Sequence, residues 1–272
     1  MTLVSRVGNL LWGTPVYDLG NRAFETAVEV YLRTQPKYTL SCGETTAIFF
    51  PRTFVEWNNL KHRIWDEADV LTHLLSNVRA DDVFYDIGAN MGIYACLVGV
   101  RQPDATIVGF EPYPPNVESL RKNLAANGID AIVIEQPLSD ASSNEAFFVY
   151  DTLDAGAQHG SLDTDYPTGD PLVSFTVETV TGDELVASER IPAPTVLKVD
   201  VQGSGLAVLD GLESTLLADE CRLVYVEAHD NRKQLEDRLA SLGYETSLLT
   251  VDRAQKDPTI VGVRNEQPTS PN

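Results

Sequence analysis

The sequence predicts a doubly wound α/β fold, because short β-type runs alternate with helical segments from about residue 81 onwards. The β-type runs are VFYDI, TIVGF, AIVIE, TVLKVDV and RLVYVEA, and helical segments such as IYACLVGVR and PNVESLRKNLAANG lie between them. Such alternation produces a mostly parallel sheet with helices on both faces. YETSLLTV and TIVGVR predict a closing hairpin. We expect functional residues at the carboxyl ends of the strands, where open α/β sheets bind ligands.

Three regions are predicted along the chain. Residues 1–80 form an N-terminal extension, with helical character to about residue 35, a hairpin from YTLSC and TTAIFF, and a helix in DEADVLTHLLSNV. Residues 81–264 form the main domain, in which 151–172 is a loop rich in Gly, Pro and Asp, and 265–272 is a disordered tail. The extension is expected to form a lid, a homodimer contact or part of the core. Four of its residues are candidates for a lid, with simple packing as the alternative: Trp57, His62, Arg63 and Trp65.

Charge limits the partners of this chain. It has 40 acidic and 20 basic residues, a formal net charge of −20. Binding to nucleic acid or to an anionic membrane surface needs a basic footprint, so both kinds of partner are excluded. High salt screens the self-repulsion of such a chain. The composition therefore predicts a halophilic protein, with an ordinary acidic mesophilic protein as the alternative.

Cysteine usage and hydropathy indicate a cytoplasmic protein. Cys42, Cys96 and Cys221 are far apart and form no CxxC pair, so they suit reduced, buried positions better than disulfides or a zinc site. No apolar run approaches the roughly 20 residues of a membrane span. The N-terminus also lacks the apolar segment and cleavage site of a signal peptide.

The strongest local signal is DIGANMG, which begins at Asp86 between a predicted strand and a helix. Gly88 and Gly92 allow a tight turn and the close approach of a ligand, and the amides at the helix N-terminus favour a carboxylate. Asp86 could hold an ammonium or hydroxyl group. A dinucleotide site would read GxGxxG, but Asn90 and Ile93 stand at the second and third glycine positions. An ordinary β-to-α turn is the remaining alternative.

Acidic residues follow the next two predicted strands. Glu111 ends TIVGF, where a carboxylate can accept both hydroxyl groups of a ribose. Pro112 and Tyr113 could flank an adenine. Ser139 and Asp140 follow the third strand, where a carboxylate could accept a hydrogen bond from an adenine amine, and a turn cap is the competing interpretation. Together these residues predict a site for an adenosyl amino acid.

Five blocks in the main domain resemble the FkbM-type methyltransferases. In chain order they are DIGANMGIYA, GFEPYPPNVESLRKNLAANG, PLSD, LKVDVQGSGLAVLDGLES and VYVEAH. The resemblance implies a class I methyltransferase (Rossmann-like) fold with a mostly parallel seven-stranded sheet, S-adenosyl-L-methionine as the cofactor, and methylation of hydroxyl oxygens on sugars, polyketides or related small molecules. It also implies cofactor-binding roles for six residues: Asp86, Gly88, Asn90, Gly92, Glu111 and Asp140.

The fourth block departs from the family pattern K-[IV]-D-V-E-G-x-E. Gln202 replaces the first glutamate and keeps its hydrogen-bonding capacity, whereas Gly205 removes the second carboxylate. This change predicts either a different acceptor or a protein that binds the cofactor without catalysis. A methyltransferase acting on nitrogen is a further alternative, although no Asp-Pro-Pro-Tyr motif follows the fourth strand. Outside methyl transfer, the alternative is a Rossmann oxidoreductase.

Candidate catalytic residues lie at the ends of the fourth and fifth strands. Methyl transfer to oxygen is an in-line displacement assisted by a base that accepts the hydroxyl proton. Lys198 and Asp200 are two residues apart and so share one face of their strand, as do Glu227 and His229. His229 has a suitable pKa for a base near neutrality. A buried ion pair and a loop cap are the structural alternatives. Asp200, Glu227 and His229 could also hold Mg²⁺, but we predict no metal.

Overall fold

The computed structural model describes residues 15–35, 37–162, 169–228, 231–249 and 257–264, without the side chains of residues 15–18 and 63–65. Residues 1–14, His229 and the tail 265–272 lie outside these ranges. The described part of the extension contains the following elements: α1 (Pro15–Thr34), β1 (Tyr38–Cys42), β2 (Thr45–Phe49), α2 (Phe54–Asp66) and α3 (Ala68–Asn77).

The hairpin expected in the extension is confirmed, and a helix that was not expected follows it. β1 pairs with β2 in antiparallel register. Helix α2 begins with a capping box: the Glu56 amide donates to Thr53 Oγ1 at 3.1 Å, and Glu56 Oε2 accepts from the Thr53 amide at 3.1 Å. This Thr-x-x-Glu spacing is visible in the sequence and could have predicted the start of the helix.

The main domain contributes the remaining elements. Its strands are β3 (Val83–Ile87), β4 (Thr106–Phe110), β5 (Ala131–Ile134), β6 (Asn144–Val149), β7 (Gly160–Ser161), β8 (Val173–Glu178), β9 (Val196–Val199), β10 (Leu223–Glu227), β11 (Glu245–Leu249) and β12 (Thr259–Val263). Its helices are α4 (Ile93–Arg101), α5 (Pro114–Ala126), α6 (Gly182–Ala187), α7 (Gly205–Asp210), α8 (Glu213–Leu217) and α9 (Arg232–Ser241).

The central sheet confirms the predicted doubly wound fold. Among the described residues it has seven strands, in the order β11-β12-β10-β9-β3-β4-β5. The pairs β10–β9, β9–β3, β3–β4 and β4–β5 are parallel, and β12 runs antiparallel to both of its neighbours as the predicted closing hairpin requires. The chain leaves β3 toward β4 on one side and returns to β9 on the other. The strand order therefore switches between β3 and β9, the place where such sheets bind ligands.

Alternate residues of the strands bury opposite faces of this sheet. Phe84 and Val196 belong to one hydrophobic cluster, and the next residues along their strands, Tyr85 and Leu197, belong to another. The first cluster also contains side chains of the extension: Leu40, Phe49, Leu60, Leu71 and Leu74. Since these leucine and phenylalanine side chains share a core with the sheet, the part of the extension from β1 to α3 packs against the main domain.

Two features of the main domain differ from the sequence prediction. GLAVLDGLESTLLA was expected to form one helix, but the chain breaks into α7 and α8 at Gly211. A Cβ atom at Gly211 would lie 1.9 Å from the Ser139 carbonyl oxygen, so the break lets the backbones approach closely. A small antiparallel sheet, β7-β6-β8, was also not expected, although LVSFTVETV, which contains β8, has β character in the sequence. Strands β6 and β8 flank the predicted loop 151–172, and β7 lies within it.

The three cysteines are free and buried, as predicted. Among the described helices, none has both the length and the apolar character that crossing a bilayer requires.

Candidate active site

A cavity of about 600 Å³ opens at the carboxyl ends of the strands, beside the switch between β3 and β9. This volume lies within the roughly 300 to 1,000 Å³ typical of small-molecule sites. Residues that follow four neighbouring strands line it: Gly88 after β3, Glu111 after β4, Asp200 after β9 and Glu227 at the end of β10. Residues far apart in the sequence therefore meet at one edge of the sheet.

The glycine turn forms part of the cavity wall. Gly88 has φ +77°, and a Cβ atom there would lie 2.1 Å from the Asp200 carbonyl oxygen. Gly92 has φ +86°, and its Cβ would lie 2.5 Å from Leu120 Cδ1. Gly88 and Asn90 face the cavity, while Gly92 packs against α5 outside the cavity lining. The turn thus presents bare backbone to the cavity, as a closely bound ligand would need.

Asp86 is buried beneath this turn and lies outside the cavity lining. Its Oδ2 accepts from the Ala95 amide at 3.0 Å, and its Oδ1 accepts from Lys198 Nζ at 3.3 Å. The side chain is 0% exposed. Asp86 therefore joins the turn, helix α4 and strand β9, which suits a role in supporting the turn from behind.

Glu111 lines the cavity and is 5% exposed. Its Oε2 accepts from the Asn90 amide at 2.8 Å, and its Oε1 accepts from the Tyr113 amide at 2.9 Å. Burial raises the pKa of Glu111 to about 7, and the charge of Asp86 adds to the increase, while hydrogen bonds from Tyr113, Asn90 and Asn116 oppose it. The carboxyl group thus titrates near neutrality at the centre of the predicted cofactor site.

The residues predicted beside an adenine fall into two sets. Pro112 and Tyr113 line the cavity, where Pro137 and Leu138 also face it. Ser139 is buried outside the cavity lining, with its amide donating to the Val180 carbonyl at 3.1 Å and its hydroxyl donating to Asp140 Oδ1 at 3.3 Å. Asp140 is exposed. Ser139 and Asp140 therefore do not line the cavity, although they follow Leu138, which does.

A strap of residues 153–161, within the predicted loop, covers the cavity beside the glycine turn. Asn90 Nδ2 and Asn116 Nδ2 donate to the Ala157 carbonyl at 2.7 and 3.1 Å, and Asn59 Nδ2 donates to the Gly156 carbonyl at 2.8 Å. Sequence reasoning missed Asn59 and Asn116, since a lone asparagine in a helical segment carries no distinguishing signal. Other cavity residues from this part of the chain were also missed: Gln158, His159, Gly160, Ser161 and Leu162.

Acidic side chains also line the cavity, beside the glycine turn. Lys198 Nζ lies 3.3 Å from Asp200 Oδ2 as well as from Asp86, which makes Lys198 the centre of a buried ion cluster. Oxygen atoms of Asp200, Glu227 and Glu67 all lie within 4.8 Å of one another. The structure thus brings together three of the four predicted catalytic residues, and adds Glu67, which no motif had indicated.

These three carboxylates also offer the oxygen ligands that Mg²⁺ or Ca²⁺ prefers. Asp200 and Glu227 were considered as Mg²⁺ ligands from the sequence, whereas Glu67 was not. Independence from metal stays a prediction.

The α2–α3 part of the extension also borders the cavity. Of the four lid candidates, His62 lines the cavity, with Asn58 and Asp66 nearby on its wall. Trp57 instead packs against Phe54, with ring centroids 5.9 Å apart. The side chains of Arg63 and Trp65 lie outside the described residues.

Comparison with known proteins identifies the family of the chain. Residues 86–246 match the family model described as the methyltransferase FkbM domain. The chain belongs to the FkbM methyltransferase family. This confirms the resemblance carried by the five sequence blocks, and with it the class I methyltransferase fold and an enzyme of the methyltransferase class. Membership of the family implies S-adenosylmethionine as the methyl donor.

Two characterised relatives of this FkbM family member have names that describe their acceptors. The chain is 31% identical over 187 residues to hexuronic acid methyltransferase AglP of Haloferax volcanii, covering 69% of this chain and 73% of AglP. It is 28% identical over 216 residues to 31-O-demethyl-FK506 methyltransferase FkbM of Streptomyces tacrolimicus, covering 70% of this chain and 80% of that protein. A solved FkbM methyltransferase from Methylobacillus flagellatus superposes with a TM-score of 0.48 at 17% identity, covering 69% of this chain and 45% of that one.

Proposed function

We propose that this protein is an S-adenosylmethionine-dependent O-methyltransferase that acts on a hydroxyl group of a sugar, glycolipid or related small molecule. One observation carries the proposal: a single cavity is lined both by a glycine turn with Glu111 and, next to the turn, by a group of carboxylates. The glycine turn and Glu111 suit an adenosyl amino acid, and the carboxylates suit a hydroxyl acceptor.

The glycine turn and Glu111 fit the cofactor that the family implies. A side chain at Gly88 would fill the space against Asp200, so the glycine keeps a cradle open beside the backbone. The Glu111 carboxylate has about four lone-pair positions, and the Tyr113 amide, the Asn90 amide and the Asn116 side chain occupy three of them, so it can also accept a ribose hydroxyl. Pro112 and Tyr113 offer apolar surfaces for the adenine. Asp86, Gly92, Ser139 and Asp140 would support this part of the site from outside the cavity lining.

At the carboxylates of the cavity, the protein would orient the acceptor and remove its proton. When bound, the cofactor supplies an electrophilic methyl group on a sulfonium, which departs as a thioether. The carboxylate of Asp200 or Glu227 would accept the hydroxyl proton while the acceptor oxygen bonds to the methyl carbon and the carbon–sulfur bond breaks. Lys198, 3.3 Å from Asp200, would position that carboxylate in its ionised form. His229 remains a proposed alternative base outside the described residues.

The cavity itself favours a hydroxyl group over a carboxylate as the acceptor. A hydroxyl can donate a hydrogen bond to a carboxylate, whereas an acidic acceptor group would face like charges. The relatives named for a hexuronic acid and for an O-demethylated product both support an oxygen acceptor. A hexuronic acid carries hydroxyls as well as a carboxyl group, so sugars with and without a carboxyl group are the first acceptors to examine.

The missing family glutamate does not argue against catalysis. A Cβ atom at Gly205 would contact Leu235 Cδ2 at 3.6 Å and Val226 Cγ1 at 3.7 Å, on the buried side of α7. Both neighbours are apolar core side chains, and Gly205 is not among the residues that line the cavity. This observation favours an active enzyme over the alternative of a protein that only binds the cofactor.

The proposal is tested by calorimetry followed by product analysis. We expect S-adenosylhomocysteine to bind the purified protein, and ¹³C-methyl-labelled S-adenosylmethionine to transfer its label to 4-nitrophenyl β-D-glucoside or β-D-glucuronide. Mass spectrometry before and after mild alkali separates a stable methyl ether from a labile ester, and also identifies an N-methyl product in an amino-sugar control. Absence of any heat from S-adenosylhomocysteine with folded protein would refute the cofactor assignment. Binding without transfer to any sugar would refute the acceptor class.

A further inference from the structure

The junction between α2 and α3 places one carboxylate of the extension beside the proposed catalytic carboxylates of the cavity. Glu67 occupies the N-cap position of α3, where a side chain ordinarily accepts a hydrogen bond from the first turn. The Glu67 side chain makes no such bond. It is 4% exposed and lines the cavity instead, with its oxygen within 4.8 Å of those of Asp200 and Glu227. The Glu67 side chain therefore does not cap α3 and faces the cavity instead.

A specific hydrogen bond holds Glu67 in this position. The Tyr94 hydroxyl donates to Glu67 Oε2 at 2.5 Å, and Tyr94 is itself 3% exposed on α4. Lys198 Nζ lies 4.5 Å from the centroid of the Tyr94 ring, over its face. The same ammonium group contacts Asp86 and Asp200. Glu67 is therefore connected through Tyr94 and Lys198 to the glycine turn and to the proposed catalytic carboxylate.

Three carboxylates gather here around the described ion pair Lys198–Asp200. Like charges at this separation repel each other, and burial strengthens the repulsion. Charged groups arranged in a cleft at such a cost are characteristic of functional sites. Adjacent carboxylates are complementary to a ligand that presents several hydroxyl donors. A pyranose ring carries hydroxyls on neighbouring carbons and matches this pattern.

We propose that Glu67 is an acceptor-binding residue, which the N-terminal extension supplies so that Glu67, Asp200 and Glu227 accept hydrogen bonds from neighbouring hydroxyls of a sugar. Tyr94 is the positioning residue for Glu67. This inference rests on the proposed function and adds a substrate-recognition role for the extension, a part of the chain that precedes the residues matched to the FkbM domain.

The test compares Glu67→Gln with Asp69→Asn, which makes the same charge change at an exposed position in the first turn of α3. For the sugar that the wild type methylates best, 4-nitrophenyl β-D-glucoside or β-D-glucuronide, we expect E67Q to lower kcat/KM by about 10- to 100-fold, mainly through KM, because a hydrogen bond to a charged group is lost. The Kd for S-adenosylhomocysteine should change less than about twofold. D69N should behave as the wild type.

A second variant, Tyr94→Phe, keeps the ring and removes only the hydroxyl donor. It should raise KM for the same sugar by about 3- to 10-fold while S-adenosylhomocysteine binds normally. Wild-type KM in E67Q would overturn the inference and leave the proposed function intact, whereas no transfer by the wild type to either sugar would overturn both. Loss of wild-type activity in EDTA, with recovery in MgCl₂, would also overturn it, since the carboxylates would then bind a cation.

Discussion

At the residue scale, Glu111 shows how burial adapts a common carboxyl group to a ligand. It lies at the end of β4, accepts two backbone amides, and still has a pKa raised to about 7 because desolvation outweighs those hydrogen bonds. A neutral carboxyl is a weaker acceptor than an ionised one. The strength of the proposed ribose contact should therefore depend on pH within the neutral range.

Glu111 gives the first prediction, a pH-dependent cofactor affinity. Because ionised Glu111 accepts hydroxyl hydrogen bonds best, the affinity for S-adenosylhomocysteine should rise severalfold from pH 6 to pH 8, as measured by calorimetry. Glu111→Gln should bind about tenfold more weakly or worse, without this pH dependence. A wild-type affinity that stays constant across this range would contradict the assignment.

The raised pKa of Glu111 also predicts the direction in which the stability of the protein changes with pH. A pKa raised from 4.5 to about 7 contributes stability that is fully present below about 4.5 and is lost as the pH rises through about 7. Glu111→Gln carries no such titration. The melting temperature of the variant, relative to the wild type, should therefore increase between pH 5 and pH 8.

Gly88 gives a second prediction at this scale, with Gly128 as a matched control. Both glycines have a positive φ, +77° and +68°, but only at Gly88 would a Cβ collide with backbone, 2.1 Å from the Asp200 carbonyl oxygen. Gly88→Ala should lose measurable S-adenosylhomocysteine binding and about 2 kcal/mol or more of unfolding free energy. Gly128→Ala should lose only about 1 kcal/mol, from backbone strain, and bind normally. Equal effects in both variants would show that strain alone matters.

At the element scale, the strap 153–161 is ordered by side chains rather than by strand pairing alone. Asn116 makes two of its contacts: Oδ1 accepts from the Gly156 amide at 2.7 Å, and Nδ2 donates to the Ala157 carbonyl at 3.1 Å. Residues 157–161 of the strap form part of the cavity wall. Elements of this kind open easily when their few polar contacts are removed.

We therefore predict that Asn116→Ala loosens the strap. Amide hydrogen exchange over 153–161 should accelerate, and the affinity for S-adenosylhomocysteine should fall about tenfold, because the strap and the Glu111 carboxyl group both lose a hydrogen bond from Asn116. Asn127→Ala is the matched control, since Asn127 makes an equivalent pair of bonds to the Ile48 backbone at 2.8 and 2.7 Å. N127A should lower stability but leave the strap and the binding affinity unchanged. If both variants alter binding equally, the strap has no specific role.

At the scale of the whole molecule, charge dominates. A net charge of −20 on 272 residues produces self-repulsion that salt relieves. Specific ion pairs on the described surface, such as Arg121–Glu135 and Arg52–Glu118, are exposed and stabilise little. The expected homodimer stays a prediction, which light scattering of the purified protein checks.

The predicted halophilic character has a direct test. The melting temperature should rise by roughly 10 °C or more between 0.1 M and 2 M KCl, because screening removes repulsion from the compact state. Tetramethylammonium chloride at equal ionic strength should give a similar rise if screening is responsible. A melting temperature that does not change with KCl would support the ordinary acidic alternative.

Much of the fold was predictable because local patterns encode it. Apolar runs of strand length and the spacing of helical leucines depend only on neighbouring residues, so the parallel sheet and the closing hairpin followed from them. The glycine turn and Glu111 were equally visible, since each stands at the end of a strand. The capping box at Thr53 and Glu56 shows that α2 could have been found as well.

The sequence by itself determined the class of fold and the positions of Gly88 and Glu111, because backbone conformation and hydrophobic periodicity are local properties of the chain. The five blocks indicated the family by resemblance. Only the tertiary structure decided that Asp86 supports the turn from beneath, that three asparagines hold the strap, and that Glu67 joins Asp200 and Glu227. These last features are contacts between distant segments. Their geometry follows from how the layers pack, and no spacing within the sequence records it.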